Sequence, residues 1–451
     1  MGRLFGTDGA RGVAITELTC ETAMQIGRAA AMVLTRHIQK GKKAKILIGK
    51  DTRVSSDVLE AALIAGITSV GADVELLGVV PTPAVAYLVK YYEADAGVMI
   101  SASHNSVEYN GIKLFANTGF KLPDEVENEI EALILDTPEK IELKDGCDIG
   151  RVRVMYGAVS EYNEHLESTV NNRFNGLMVA IDCANGSASA TAEALFTKLG
   201  VDCVMTANKP NGCNINDNCG STHLENLQKL VVERGCDLGV AFDGDADRCL
   251  AVDNRGNVVD GDKLIGIISR FMRDSGTLKN DAAVVTVMSN LGFHTFMKNN
   301  NLKTVCTKVG DRYVLEEMLK SGYSIGGEQS GHIIFLDHAT TGDGQLTAVQ
   351  LMNLLVTVKK PLSQLISEFE DYPQTLLGVK ITPDKKGLWD KTEEITAVIK
   401  EAEDFFGDSG RVLVRESGTE PLVRVMIEGK VKEDVDRWAE KIADVVKNAL
   451  A

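Results

Sequence analysis

Short runs of β-branched and aliphatic residues alternate with stretches of helical spacing along most of this chain, a texture that predicts α/β domains with parallel or mixed sheets. One unit recurs three times. Its first copy opens on Lys45-Ile46-Leu47-Ile48-Gly49, passes through a helical pattern over residues 58–67 and returns on Val74-Glu75-Leu76-Leu77. The second opens on Met178-Val179-Ala180-Ile181-Asp182 and returns on Val201-Asp202-Cys203-Val204; the third opens on Ala283-Val284-Val285-Thr286-Val287 and returns on Thr304-Val305-Cys306. After each copy a further strand ends in a polar loop. The loops are Ser101-Ala102-Ser103-His104-Asn105, then Asp243-Gly244-Asp245-Ala246-Asp247-Arg248, then Gly327-Glu328-Gln329-Ser330-Gly331-His332. Ligands of open α/β sheets bind outside the carboxyl ends of the strands, so three similar domains would present three loops to one shared cleft.

Beyond residue 372 the texture changes. Strands at Val379-Lys380-Ile381, Arg411-Val412-Leu413-Val414 and Val423-Arg424-Val425-Met426-Ile427 precede a helix carrying Val435, Trp438, Ile442, Val445 and Val446 on one stripe, which reads as core. This predicts a small α+β domain after three mixed-sheet α/β domains. The boundaries expected are 1–153, 154–255, 256–368 and 373–451. Length alone would give only about three domains at roughly 150 residues each.

Composition removes several function classes. A hydrophobic content of 44% supplies several cores, and a formal charge of -16 argues against nucleic acid or an anionic membrane as partner. The nine cysteines include no C-x-x-C pair, which suits reduced thiols. With no signal-like apolar core and no run of eighteen apolar residues, the expected location is cytoplasmic.

The chemistry is concentrated in the loops. Three carboxylates at alternate positions, Asp243, Asp245 and Asp247, repel one another unless a cation neutralises them, and all-oxygen donors suit a hard ion, Mg²⁺ above all. A solvated turn is the plainer alternative. In the first loop, adjacent side chains on an extended segment diverge, which sets His104 out of position to take a proton from Ser103, and no G-x-S-x-G elbow occurs. The better partner for Ser103 is the metal, because a phosphoserine presents dianionic oxygens that an ion on the acidic loop could bridge.

Arg415-Glu416-Ser417-Gly418-Thr419-Glu420-Pro421, with Arg424 beyond it, offers amides, hydroxyls and guanidinium groups for a phosphate, and reads equally as a plain hairpin. Arg11, in Phe5-Gly6-Thr7-Asp8-Gly9-Ala10-Arg11-Gly12, is either a phosphate ligand or a solvated loop arginine. Glu328 and Ser330 carry donors and acceptors of the kind that read sugar hydroxyls, and His332 is either a proton carrier or a structural histidine.

Taken in order, these motifs resemble the α-D-phosphohexomutases over essentially the whole chain: Thr7-Asp8-Gly9 with Arg11, Ser103-His104-Asn105, residues 243–248, Glu328-Gln329-Ser330-Gly331-His332 and residues 415–421. The Glu-Gln-Ser-Gly-His loop and Lys308-Val309-Gly310-Asp311-Arg312 resemble the bacterial branch that acts on glucosamine phosphates. The resemblance implies a four-domain, heart-shaped protein around a central cleft that interconverts glucosamine 6-phosphate and glucosamine 1-phosphate, a step toward UDP-N-acetylglucosamine. It implies a phosphoserine at Ser103 and one Mg²⁺ per chain held by Asp243, Asp245, Asp247 and Ser103 through its phosphate. It further assigns Arg248, Glu328, Ser330, Arg415, Ser417, Gly418, Thr419 and Arg424 to the substrate, and Arg11, Lys113 and His332 to proton handling or transition-state charge, unranked. The partner expected is a hexosamine phosphate, with a homodimer admitted by the family. Glucose or mannose phosphate mutases, and a Mg²⁺-dependent sugar phosphatase, are the alternative readings. One departure stands out: where the family has proline after Ser-His-Asn this chain has Ser106, which removes a fixed φ from the loop.

Overall fold

A computed structural model describes residues 3–6, 8–38, 42–416 and 421–451. It divides into two compact units, Met1–Met288 with Leu302–Ile366, and Ser289–Asn301 with Ser367–Ala451.

The first unit holds three sheets. Strands β1 (Ala10–Val13), β2 (Lys45–Lys50), β3 (Asp73–Val79), β4 (Ala96–Ile100), β5 (Tyr109–Ala116) and β6 (Val152–Val154) form one in the order β1-β5-β4-β2-β3-β6. Strands β7 (Met178–Asp182), β8 (Asp202–Thr206), β9 (Leu238–Phe242), β10 (Cys249–Asp253) and β11 (Val258–Val259) form a second, ordered β11-β10-β9-β7-β8. The third is β13-β12-β14-β15, from β12 (Ala282–Thr286), β13 (Lys303–Thr307), β14 (Ile325–Gly327) and β15 (Ile333–Phe335).

The threefold repeat is visible in the pairing. In each sheet the opening strand, β2, β7 or β12, lies between two parallel neighbours, β3 and β4, β8 and β9, or β13 and β14. A fourth strand, β5, β10 or β15, then pairs antiparallel with the third. All three polar loops occupy the same topological place, the turn between the third and fourth strands, where the sheet changes direction.

Local sequence explains the elements. Strands β4, β9 and β12 are buried at every position, which accounts for their unbroken apolar runs. Thr19 caps helix Cys20–Leu34 by accepting the Thr22 N–H at 3.1 Å. That helix packs with Val54–Ser69 in the core of the first sheet, among Ile26, Leu59, Leu63, Ile46 and Ile48.

In the second unit, β16 (Gln374–Lys380), β17 (Gly410–Glu416) and β18 (Leu422–Gly429) form an antiparallel sheet in the order β16-β18-β17. Helices Glu393–Phe406 and Lys432–Leu450 build its core with Ile395, Val398, Val435, Trp438, Ile442 and Val446, so the predicted apolar stripe is core. This unit also takes in helix Leu291–Asn299, which the sequence places between β12 and β13. Phe296 stacks on Phe369 with ring centres 3.9 Å apart, and the Leu291 N–H donates to Glu428 Oε1 at 3.2 Å. Among the described residues no helix is long and apolar enough to cross a membrane.

Candidate active site

The acidic loop between β9 and β10 is fully buried, with Asp243, Asp245 and Asp247 at most 3% exposed. Each offers one oxygen, and the three oxygens lie within 4.8 Å of one another. Gly244 is required by packing, because a Cβ there would sit 2.5 Å from the Ser103 carbonyl oxygen. The alternation of glycine and aspartate therefore lets a second loop press against the acidic one.

That second loop carries Ser103, whose Oγ donates to Asp243 Oδ2 at 2.6 Å, a contact 140 residues apart in sequence. Ser103 has φ 54°, in the left-handed region. This corrects the expectation that His104 would point away from it: the positive φ folds the two neighbours together, and His104 Nδ1 lies 3.3 Å from Ser103 Oγ. Burial, aided by Arg248 and Arg11, lowers the imidazole to about 4, so His104 is neutral at pH 7.

The remaining charges fall into two groups. Lys113, only 2% exposed, lies 2.7 Å from Asp245, 3.4 Å from Asp247 and 3.1 Å from Asp8. Burial works against its charge, but the three carboxylates outweigh that and raise its pKa, which keeps it a fixed cation. Lys121 bridges Asp8 at 2.6 Å and Asp311 at 2.7 Å, and Asp8 also holds Arg11. His332 is buried with Nδ1 3.6 Å from Asp247 and Nε2 3.5 Å from Asp311, while the Gly342 N–H points at Nε2 from 3.1 Å. Burial opposes the charge on Asp247, yet Lys113, His332 and Arg248 hold its carboxyl well below the ordinary range.

Asp243 is the opposite case. Burial, then Asp247 and Asp245, push it well above the usual carboxylate range, and Arg248 and the Ser103 hydroxyl only partly offset this. Oδ1 of Asp245 and Oδ1 of Asp247 are buried with no hydrogen-bond partner. Three clustered carboxylates with two orphaned oxygens form a donor set that fits a hard divalent cation.

The third loop joins the other two. The Cys249 N–H, at the start of β10, donates to Gly331 O at 3.0 Å, and Glu328 Oε1 accepts the Gly310 N–H at 3.2 Å. Ser330 is exposed. The Nε atoms of Arg11 and Arg248 are buried without hydrogen-bond partners, which leaves both guanidinium groups able to take an anion.

Ser103, Asp243, Asp245, Asp247, Lys113, Arg11, Arg248, Glu328 and His332 thus all belong to the first unit. Arg415 and Arg424 belong to the second, directly opposite each other on β17 and β18. Burial and then Arg424 lower the pKa of Arg415. Thr7, Ser417, Gly418 and Thr419 lie outside the described residues.

Sequence reading missed several contributors. Thr82 donates its hydroxyl to Asp245 Oδ2 at 2.5 Å, and its N–H to the Asp245 carbonyl at 2.9 Å. Asp8 and Asp311 stood within quoted motifs, but Lys121 was not singled out, and the ion-pair chain it makes with them was not foreseen.

The models for the phosphoglucomutase/phosphomannomutase family match in order: α/β/α domain I over residues 2–140, domain II over 160–256, domain III over 260–372, and the C-terminal domain over 376–445. The chain belongs to this family and is a phosphohexomutase, an isomerase. It is 52% identical over 447 residues to the phosphoglucosamine mutase of Clostridium novyi, covering 99% of each chain. The Acetivibrio thermocellus phosphoglucosamine mutase is likewise 52% identical, over 450 residues and 100% of each. Among solved structures, a phosphoglucomutase/phosphomannomutase family protein from Burkholderia thailandensis superposes with a TM-score of 0.82 at 22% identity, over 99% of this chain and 97% of the other. Aspergillus fumigatus N-acetylphosphoglucosamine mutase, in complex with GlcNAc-6P and magnesium, gives 0.68 at 17% identity, over 99% and 96%.

Proposed function

We propose that this chain interconverts glucosamine 6-phosphate and glucosamine 1-phosphate through a phosphorylated Ser103 and a bisphosphate intermediate. The observation that carries the reading is the 2.6 Å contact of the Ser103 hydroxyl with an acidic loop in which two buried carboxylate oxygens have no hydrogen-bond partner. The full-length relatives named phosphoglucosamine mutase support the choice of sugar.

In the proposed cycle, phosphorylated Ser103 gives its phosphoryl group to the free sugar hydroxyl. The P–O bond to Ser103 breaks as the bond to the sugar forms, the sugar hydroxyl releases a proton, and the Ser103 oxygen gains one. The bisphosphate then turns end for end, and Ser103 takes back the other phosphoryl group. The Ser103 hydroxyl points its proton at Asp243, and His104, neutral and 3.3 Å away, is a second hydrogen-bond partner for the same oxygen. Lys113, pinned between three carboxylates, supplies fixed positive charge rather than proton transfer.

Asp243, Asp245 and Asp247 would hold Mg²⁺, with a phosphate oxygen on Ser103 beside them; when bound, the ion would neutralise charge on the transferring group. Arg11 and Arg248 would hold phosphate, Glu328 and Ser330 the sugar hydroxyls, and His332 proton or charge. The pair Arg415 and Arg424, with Ser417, Gly418 and Thr419, would grip the phosphate that is not reacting. Little covalent work is required beyond the serine, so positioning and electrostatics carry the rate.

The test is ³¹P NMR of glucosamine 6-phosphate with protein, Mg²⁺ and trace bisphosphate, beside glucose and mannose 6-phosphates. A new anomeric phosphate signal should grow fastest from the glucosamine substrate and be absent with Ser103→Ala. Release of inorganic phosphate ahead of isomer would instead favour a phosphatase.

A further inference from the structure

The Ser103 loop is held by a side chain that no motif announced. Arg53 has a side chain with no solvent exposure, lying just past the end of β2. Its Nε donates to Asp51 Oδ2 at 2.9 Å, Nη2 to Asn105 O at 2.7 Å and to Ser103 O at 3.2 Å, and Nη1 to Ser106 O. One buried guanidinium therefore grips three carbonyls of the loop that presents the nucleophile. From the second sheet's side, Asn216 Nδ2 donates to two of the same carbonyls, Ser103 O and Asn105 O, both at 2.9 Å.

The peptide of Ser103 is closed into a circuit. Its N–H donates to Ser101 Oγ at 3.0 Å, Ser101 Oγ donates to Asp51 Oδ2 at 2.7 Å, Asp51 holds Arg53, and Arg53 returns to the Ser103 carbonyl. Ser56 and the Arg53 N–H fix the other oxygen of Asp51, at 2.9 and 3.0 Å. A left-handed φ at a serine costs roughly 1–2 kcal/mol and persists only where the surroundings impose it. Here the circuit imposes it, and that φ turns Oγ toward Asp243.

We propose that Arg53, assisted by Asn216, is a positioning residue for phosphoryl transfer: it locks Ser103 in the left-handed conformation that aims its oxygen at the acidic loop. The inference rests on the reading of Ser103 as the phosphoryl carrier. It also explains how a loop with Ser106 in place of proline keeps its shape, since Ser106 O is one of the three carbonyls held. Lysine cannot replace this arginine, because a single ammonium lacks the planar fork that reaches Asp51 and three carbonyls together. A displacement of about 1 Å at a reacting atom costs on the order of 10²-fold in rate.

The experiment compares Arg53→Lys, Arg53→Gly, Asn216→Ala and Ser103→Ala in the full chain. For Arg53→Lys, kcat should fall on the order of 10²-fold with KM for glucosamine 6-phosphate nearly unchanged. Asn216→Ala should show the same split at about 10-fold. The rate of Ser103 phosphorylation from bisphosphate, followed by intact mass, should fall in parallel. Millimolar guanidinium should raise kcat of Arg53→Gly, and methylammonium should not. If the arginine variants fail to fold, Asn216→Ala carries the test alone. Wild-type kcat in Asn216→Ala and Arg53→Lys, with Ser103→Ala inactive, overturns the clamp and leaves the nucleophile standing. Activity in Ser103→Ala overturns the underlying reading instead.

Discussion

Asp243 and Asp247 lie four residues apart on one loop, equally buried, yet the fold treats them oppositely. Asp247 sits among Lys113, His332 and Arg248 and is held ionised; Asp243 faces a neutral serine and two other carboxylates and is driven toward its protonated form. One side of the loop is balanced in charge by the protein's own cations, although Asp247 Oδ1 still lacks a hydrogen-bond partner. The other side carries an electrostatic deficit that a proton or an added cation would remove. The asymmetry separates the carboxylate whose charge the protein compensates from the one whose charge it does not.

The largest effect expected breaks this comparison directly. Asp247→Asn removes the partner of a buried lysine and histidine, and losing one member of a buried charged group typically costs about 3–5 kcal/mol. Asp243→Asn replaces a carboxyl already pushed toward neutrality with a neutral amide of the same shape. In metal-free buffer, urea unfolding should show Asp247→Asn strongly destabilised and Asp243→Asn equal to or more stable than the wild type. Added Mg²⁺ should stabilise the wild type and leave Asp243→Asn nearly unmoved. Equal losses in both variants would mean that the two carboxylates share one environment.

A smaller effect follows from proton linkage. The folded pKa of Asp243 lies above its unfolded value, so between the two the native state holds a proton that the unfolded chain has shed. Stability of the metal-free protein should then fall as pH rises above about 4, by at most about 1.4 kcal/mol per pH unit for one such group. Asp343, buried at the start of helix Gly344–Val358 beneath the Tyr162 hydroxyl, is raised by burial to about 7 and contributes with the same sign. The slope should therefore shrink in Asp243→Asn and in Asp343→Asn, each by its own share. Mg²⁺ must displace the Asp243 proton, so titration calorimetry in buffers of different ionisation enthalpy should report proton release in the wild type only.

How much of this was legible beforehand follows from the distance over which each feature is encoded. The three carboxylates, the serine and the threefold alternation of strands are local patterns, and the strand Met178–Asp182 was placed to the residue. The family motifs ordered the loops correctly along the chain. What could not be read was which charges compensate which: Lys113 meets Asp245 across 132 residues, Lys121 meets Asp311 across 190, and Asn216 meets Ser103 across 113. The proximity of Ser103 and His104 failed for a different reason, because alternation of side chains assumes an extended backbone and the sign of φ is set by tertiary contacts. Arg53 was invisible as one arginine among many, although its place two residues after Asp51 at a strand end is the signal that a search for buried Asp-x-Arg pairs would use.

The second unit offers the same comparison with the sign reversed, and the smallest effect. Arg415 and Arg424 face each other in register on β17 and β18, and neither has a carboxylate partner among the described residues. Like charges directly opposite on a sheet are destabilising by roughly 0.2–1 kcal/mol, and burial with Arg424 already lowers the pKa of Arg415. The pair is the cationic counterpart of Asp243, a deficit that an anion would remove. Arg424→Gln should therefore slow hydrogen exchange in β17 and β18 slightly in phosphate-free buffer, while inorganic phosphate should protect the wild type more than the variant. If the variant instead exchanges faster and phosphate protects both alike, the arginines are ordinary strand residues, and the mirror between the acidic loop and this hairpin is lost.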